Sequence, residues 1–344
     1  MISLQQLSGE ALPWLLEEDE ANPGVRYFAL RDLLDRPAGD AELTAARRAV
    51  MTSGPVPAIL DAMDPEGYWV KPGGGYSPKY RSTVWQILLL AELGADPTDV
   101  RVRQGCEYLL DHSIADNSAF AAGSKPSPGG AIHCLNGNLI WALIQLGYED
   151  EPRVQSALDW LALSIVGDPS IRFYSWGTVG PGFACGINDG QPCGWGAAKA
   201  MRALLAVLPE RRSDVVARAI DAGAAFLFSR NPAEADYPYT EKVSSTWFKL
   251  GFPLSYWSDV LEVVDVLAQA GCGHDPRLAS GIQWVLSRQD DQERWKLGNS
   301  LNKKMWRDIE QRGKPSKWVT LRALRMLKAA SGDRFGNGVE EFAR

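Results

Sequence analysis

Residues 82–112 read STVWQILLLAELGADPTDVRVRQGCEYLLDH and contain the two kinds of helix that recur along this chain. The first part, TVWQILLLAEL, is apolar around most of its circumference, which is typical of a helix surrounded by protein. The second part, DVRVRQGCEYLLDH, has apolar residues at i, i+3, i+4 and i+7, the pattern of a helix with one face in water. The short Gly- and Asp-Pro-containing link marks the end of one helix and the start of the next. The stretch therefore predicts an inner helix followed by an outer helix.

Both kinds of helix recur about every 60 residues, a period typical of stacked or closed arrays. The apolar segments begin near Val25, Ser82, Asn136, Gly194, Tyr256 and Lys317. The clearest amphipathic segments are 99–112, 151–166, 212–230 and 275–289. With two less regular helices, within 3–19 and 41–63, the pattern predicts an all-α fold, a single (α/α)6 toroid. We place it at residues 1–330, with a divergent first repeat at 1–50 and a frayed tail at 331–344.

The links between helices are unequal. Those from inner to outer helices are short, whereas those from outer to inner helices are long and rich in Gly, Pro and aromatic residues. In an alternating double ring, all long links lie on the same rim, and long ordered connections in compact domains are usually functional. We therefore expect the site on that rim. The long links cover residues 64–81, 113–136, 166–194, 230–255 and 289–316.

Composition limits the class of protein. The net charge of −6 and pI near 5.3 give no general attraction to nucleic acid. The N-terminal stretch lacks the pattern of a signal peptide, and no apolar run is long enough to span a membrane. Five cysteines at irregular spacing do not indicate a disulfide framework. We expect a cytoplasmic protein with a small-molecule partner, and its oligomeric state stays open.

Three segments carry a resemblance to a known family. They are DPRLASGIQWVLSRQDDQERW (275–295), EPRVQSALDWL (151–161) and DPEGYW (64–69). The unit resembles the prenyltransferase and squalene-oxidase repeats of the terpenoid cyclase and protein prenyltransferase superfamily. The resemblance implies an α/α-toroid and isoprenoid cyclisation or isomerisation in its central cavity. It also implies that Trp284 and Gln289 mainly tie repeats together. The chain lacks the Asp-x-Asp-Asp motif of class II cyclases, which argues against alkene protonation by that motif.

The candidate acid–base residues lie on or before inner helices. Asp259 and Glu262 are three residues apart in YWSDVLEVV and share one helix face. A carboxyl group enclosed by aromatic rings has a raised pKa and can act as acid or base, and Asp259 is the first choice. Lys199, on an otherwise apolar helix, is expected to pair with Asp259, to anchor an anion or to serve only structure. Asp189 completes the candidate catalytic set.

Aromatic and basic residues accumulate in the long links, where the amino ends of the inner helices also favour anions. We expect a small, largely apolar or aromatic ligand there, for example an isoprenoid with an anionic head. Part of these aromatic residues are expected to be core. The predicted substrate-binding residues are Arg81, Trp85, Asn136, Asn138, Trp141, Trp176, Trp195, Trp247, Tyr256, Trp257, Trp306 and Trp318.

Two alternatives remain open on sequence grounds. Cys134, Cys185, Cys193 and His133 all fall in or beside long links, and thiolates with an imidazole can hold zinc. This set predicts a zinc- or thiolate-dependent lyase, hydrolase or transferase, although free cysteines also serve as small buried apolar residues. No cofactor other than zinc is indicated. The second alternative is a non-catalytic toroid that binds a peptide or a glycan.

Overall fold

The computed structural model describes residues 11–239 and 243–332, in which thirteen α-helices form two layers. The inner helices are α2 (Pro23–Phe28), α5 (Thr83–Leu93), α7 (His133–Gln145), α9 (Gly194–Ala206), α11 (Val260–Leu267) and α13 (Lys317–Ser331). The outer helices are α1 (Ala11–Leu16), α3 (Ala41–Thr52), α4 (Pro55–Asp61), α6 (Val100–His112), α8 (Pro152–Val166), α10 (Asp214–Leu227) and α12 (Ala279–Leu286). Single π-helical turns, Ala29–Leu33 and Ala268–Cys272, continue α2 and α11.

The inner helices form a closed ring. Contacts run from α5 through α7, α9, α11 and α13 to α2. The ring closes at Gly24 of α2, where an added Cβ would lie 2.3 Å from the Leu93 carbonyl oxygen of α5. At Gly137 of α7, a Cβ would lie 2.4 Å from the Lys199 backbone of α9. Only isolated β-bridges occur between the described residues. The predicted all-α (α/α)6 toroid is confirmed.

Two of the repeats are fixed by the same hydrogen bonds. The Trp69 indole donates to the Ile59 carbonyl at 2.7 Å, and its backbone N–H donates to the Thr83 hydroxyl of the next inner helix. Trp295 donates in the same way to the Val285 carbonyl, at 2.7 Å, and to a threonine hydroxyl of α13. Buried indole N–H groups need such partners. The acidic turn followed by Trp is therefore a structural joint between outer and inner helices.

The connection between α10 and α11 enters the middle of the ring. The Leu254 N–H donates to the Glu92 carboxylate of α5 at 2.8 Å. Phe252 stacks on Trp318 of α13, with ring centroids 4.2 Å apart. Both Leu254 and Phe252 are buried. This part of a predicted long link thus fills the central space from the long-link side and forms a floor within the toroid.

Some predictions lie at or beyond the edge of the described residues. Helix α13 extends to Ser331, one residue into the predicted tail, and residues 333–344 lie outside the described part. The predicted domain limits therefore stay a prediction. Among the described helices, none combines the length and apolar character needed to cross a membrane.

Candidate functional site

A cavity of about 700 Å³ lies in the centre of the ring. The inner helices line it, mostly through their carboxyl-terminal halves, together with Phe252 and Leu254 of the inserted connection. Because inner helices end at the short links, the cavity opens on the rim opposite to the one we expected. Its polar and aromatic lining includes Phe28, Arg31, Asp32, Asp35, Glu92, Trp141, Arg202, Glu262, Asp265, Gln269, Arg322, Arg325 and Lys328.

The cavity wall carries five basic and five acidic side chains, and most of them form ion pairs. Asp32 accepts from Arg31 at 2.5 Å and also pairs with Arg325. Burial raises the pKa of Asp32, but the two guanidinium groups outweigh burial and hold it below the ordinary value. Such a network keeps several charges inside a partly desolvated space, where an unpaired charge would be costly.

One side of the cavity is a flat cationic surface. The Arg202 guanidinium lies 3.3 Å from the centre of the Trp141 ring, a cation–π stack. One oxygen of Glu92 accepts from Arg202 at 2.9 Å, while the other accepts from the Leu254 N–H. Glu92 therefore fixes both the stacked guanidinium and the floor of the cavity. Of the predicted binding residues, Trp141 is the one that lines this cavity.

Asp265 differs from the other acidic residues of the cavity. Its Oδ1 is shielded from solvent and has no hydrogen-bond partner. Burial raises the pKa of this carboxyl, partly offset by a hydrogen bond with Gln269 and by the charges of Arg322 and Arg325. The Arg325 Nε is likewise buried without a partner. An acceptor and a donor of the cavity wall are thus buried without a hydrogen-bond partner among the described residues.

Asp259, our first choice as the acid–base residue, has a structural position. It is completely buried, caps α11 by accepting from the Glu262 N–H, and forms two hydrogen bonds with Arg322 at 2.9 and 2.8 Å. Burial raises its pKa, but Arg322 and the backbone N–H donors lower it below the ordinary value. A carboxylate held ionised in this way cannot donate a proton near neutral pH, so the geometry argues against that role.

Lys199 pairs with Glu262 and not with Asp259. The Lys199 Nζ lies 2.8 and 2.7 Å from the two carboxylate oxygens, and both side chains are buried. Burial lowers the pKa of Lys199, and the adjacent carboxylate opposes that shift. Glu262 also lines the cavity. The pair therefore links α9 to α11 at the inner end of the cavity.

Several predicted binding residues make structural contacts on the long-link side. Asn136 exchanges hydrogen bonds with the Phe120 backbone at 2.8 Å, which pins the link before α7. Asn138 donates to the Ser255 carbonyl at 3.0 Å, while its own amide oxygen is buried without a partner. The Trp318 indole donates to an asparagine at the start of α2. None of these three side chains lines the cavity.

The remaining aromatic candidates lie on the long-link side in separate groups. Trp85 and Tyr256 pack edge to face, and the Tyr256 hydroxyl lies 2.6 Å from that of Tyr76. Trp195 packs against Trp247. Trp306, which stacks with Arg81, and Trp176, which is 68% exposed, lie at the surface. Trp257 is half-buried, and its buried indole Nε1 has no hydrogen-bond partner among the described residues. The structure does not gather them into one pocket.

The proposed zinc ligands do not form a metal site. In residues 11–239 and 243–332, no group of three or more His, Cys, Asp or Glu side chains is arranged to hold a metal ion. His133 is buried, and its Nε2 lies 3.1 Å from the Ser164 hydroxyl; burial lowers its pKa to about 4. Asp189 is exposed in a turn of the link before α9, away from the cavity. Cys134, Cys185 and Cys193 are free thiols.

Most of the residues that line the cavity were not predicted from the sequence. A usable signal was present, because charges on inner helices recur at helical spacing. Asp265 follows Glu262 by three residues, and Arg325 follows Arg322 by three. On helices that are otherwise apolar, such rows mark a face that is turned toward a polar interior space.

The fold is similar to that of solved carbohydrate-active enzymes. The unsaturated glucuronyl hydrolase specific for heparin matches with a TM-score of 0.52 and 12% identity, over 93% of this chain and 88% of that chain. A protein from Salmonella enterica described as a possible member of the GH105 family matches with a TM-score of 0.51 and 10% identity, over 97% and 96% of the two chains. These similarities establish the α/α-toroid fold.

A type II terpene cyclase from Scytonema, solved with merosterolic acid A, matches over 80% of this chain and 95% of that chain with 12% identity, but its TM-score is only 0.30. No protein-family model and no curated protein sequence matches the chain.

Proposed function

We propose that the protein is an enzyme that binds a small, carboxylate-bearing ring compound in the central cavity and uses Asp265 as the proton donor. The observation that carries the proposal is the half-buried Asp265 carboxyl, with its raised pKa and one unpartnered oxygen, in a wall rich in arginines. A carboxyl with a raised pKa keeps its proton to higher pH than an ordinary aspartate, which suits it to general acid catalysis.

The charged lining of the cavity favours a ligand with an anionic group over a ligand that is mostly hydrocarbon. A long isoprenoid chain would displace water from ten charged side chains and leave them unsolvated, which is costly. A ring with a carboxylate fits better. Its carboxylate would lie near the guanidinium groups of the wall, Arg325 among them, and its face would lie near the Arg202–Trp141 stack. Unsaturated glucuronyl groups, named for one structural neighbour, are ligands of this class, and here they enter by analogy of fold.

The expected chemistry is proton donation to an electron-rich carbon or to an oxygen of the ring compound. Protonated Asp265 gives up its proton and becomes a carboxylate. The resulting negative charge lies within the field of Arg322 and Arg325, whose charges favour the ionised form of Asp265. When carbon is protonated, water then adds to the resulting cationic carbon of the substrate and returns one proton to the Asp265 carboxylate. Glu262 stays paired with Lys199 in this scheme and holds the inner end of the cavity.

The test is turnover of an unsaturated glucuronyl disaccharide, measured by the loss of its double bond. We expect turnover by the wild type and a decrease of at least about 100-fold for Asp265→Asn, which removes the proton donor but keeps the shape. Asp159→Asn is the matched control, since burial also raises the pKa of Asp159, on outer helix α8. Equal turnover by wild type and Asp265→Asn would refute the role of Asp265. Binding of the disaccharide without turnover by the wild type would refute the enzyme proposal.

A further inference from the structure

Cys185 and Cys193 face each other across a short hairpin before α9. The Cys185 N–H donates to the Gln191 carbonyl at 3.1 Å, and the Cys193 N–H donates to the Phe183 carbonyl at 2.9 Å. This pairing places the two cysteines as diagonal neighbours on one face of the hairpin. The two side chains are close enough for each thiol to shift the pKa of the other. The pair lies outside the central cavity, and neither cysteine takes part in the proposed function.

The two thiols have different surroundings. The Cys193 Sγ accepts from the Gly196 N–H at 3.4 Å and so caps the amino end of α9. Near Cys185 lie the Cys193 thiol and the backbone N–H groups of Ile187 and Asn188. These donors, with the Cys193 thiol as the largest contribution, lower the pKa of Cys185 despite its partial burial. Both side chains remain partly accessible to solvent.

We propose that Cys185 and Cys193 form a redox-modifiable thiol pair, in which Cys185 is the attacking thiol and Cys193 is the resolving thiol. With a low-molecular-weight disulfide such as glutathione disulfide, the Cys185 thiolate attacks one sulfur and expels the other as a thiolate. The Cys193 sulfur then attacks the mixed disulfide at Cys185 and expels the second thiolate, which takes the Cys193 proton. The two protein thiols are oxidised to one disulfide, and the reagent is reduced to two thiols.

The other three cysteines are unsuited to the role of the attacking thiol. Burial raises the pKa of Cys106 and Cys272, and it raises the pKa of Cys134 to about 12. Cys272 is partly exposed and lies near the short-link rim, on the π-helical turn after α11, which makes it a control for simple accessibility. A difference in reactivity between Cys185 and Cys272 would therefore report the local hydrogen bonds and not exposure.

The test uses the reduced full-length protein, and its two readouts are independent of catalytic activity. The first readout is the rate of iodoacetamide alkylation of each cysteine at pH 7, by peptide mapping. We expect Cys185 to react at least about tenfold faster than Cys272. Cys193→Ala, which removes the thiol donor, should slow Cys185, whereas Cys193→Ser, which keeps a donor, should slow it less. Circular dichroism verifies that both variants fold.

The second readout is the disulfide itself. Cys185 and Cys193 are the only cysteines of the tryptic peptide 173–199, so their disulfide makes this peptide lighter by two hydrogen atoms. We expect that product after incubation with glutathione disulfide. Glutathione left on Cys185 of the wild type without formation of the internal disulfide would overturn the proposal. Alkylation of Cys185 no faster than that of Cys272 would overturn it as well.

Discussion

Two aspartates on α11 and its cap show how partners decide the chemistry of a side chain. Asp259 is completely buried and Asp265 is half-buried, and burial alone would raise the pKa of each. Asp259 receives two hydrogen bonds from Arg322 and becomes a fixed carboxylate. Asp265 has no ion-pair bond, so burial prevails and its pKa stays raised. The proton donor that we propose is thus the carboxyl without an ion-pair partner among the described residues.

Asp265→Asn should not destabilise the protein at neutral pH. A carboxyl with a raised folded-state pKa contributes most to stability below its unfolded pKa, and that contribution is lost as pH rises through the folded pKa. The amide does not titrate. The free energy of unfolding of the variant should therefore increase relative to that of the wild type as pH rises above the acidic range. Urea unfolding from pH 4 to 8 measures this difference. A variant that becomes less stable than the wild type with rising pH would show that the carboxylate form is the stabilising one.

Asp259→Asn should lower the free energy of unfolding by about 3–5 kcal/mol, because it leaves the buried Arg322 charge without its partner. The Asp259 pKa is lowered, so its contribution is present above the unfolded pKa and is lost as pH falls through the folded pKa. Urea unfolding at pH 7 is the measurement. Glu18→Gln is the control, since its ion pair with Arg26 is exposed and should be worth less than about 1 kcal/mol. Unchanged stability with lost turnover would restore Asp259 as a catalytic candidate.

At this scale, the sequence indicated that α11 carries charged side chains but not which partner each of them has. The spacing of Asp259 and Glu262 correctly indicated charges on α11, and Glu262 does line the cavity. The partner of each charge depends on neighbouring helices that are distant in sequence, such as α13 for Asp259 and α9 for Glu262. A single sequence contains no measure of those distances.

At the scale of helices, the close packing of the inner ring depends on glycine. Gly137→Ala should lower the free energy of unfolding by at least about 2 kcal/mol, because the methyl group would meet the α9 backbone, which cannot rotate away. Gly39→Ala is the control, because nothing lies within 4 Å of a Cβ at that position. Thermal unfolding of both variants gives the comparison. Equal stability of the two variants would contradict the close approach of α7 and α9.

The helices themselves were largely predictable, whereas the path of one link was not. Apolar segments such as 83–93 became fully buried inner helices, and the amphipathic ones became outer helices. The link before α11 was expected on the rim, but Phe252 and Leu254 enter the ring. Their insertion is set by a stacking contact with α13 and a hydrogen bond to α5, and neither contact leaves a periodic pattern in the sequence.

At the scale of the molecule, the two rims of the toroid differ in what they contain. The long links hold aromatic clusters and the Cys185–Cys193 hairpin, and the inserted connection closes the centre from their side. The charged cavity opens between the carboxyl ends of the inner helices. The toroid was predictable because its repeat leaves a period in the sequence. The open end was not, because the connection that blocks the other end has no such signature.

The most direct test of the anion-binding cavity is isothermal titration calorimetry with D-glucuronate and with the uncharged D-glucose. The proteins compared are the wild type, Asp265→Asn, Arg325→Gln and the control Arg288→Gln. Arg288 stacks on Trp284 just after outer helix α12, away from the cavity. We predict that the wild type and Arg288→Gln bind glucuronate and not glucose. Asp265→Asn should keep this binding, since it loses only a proton donor. Arg325→Gln should weaken it at least about tenfold. Equal binding of glucose and glucuronate, or unchanged glucuronate affinity in Arg325→Gln, would contradict an anion-binding cavity at this rim.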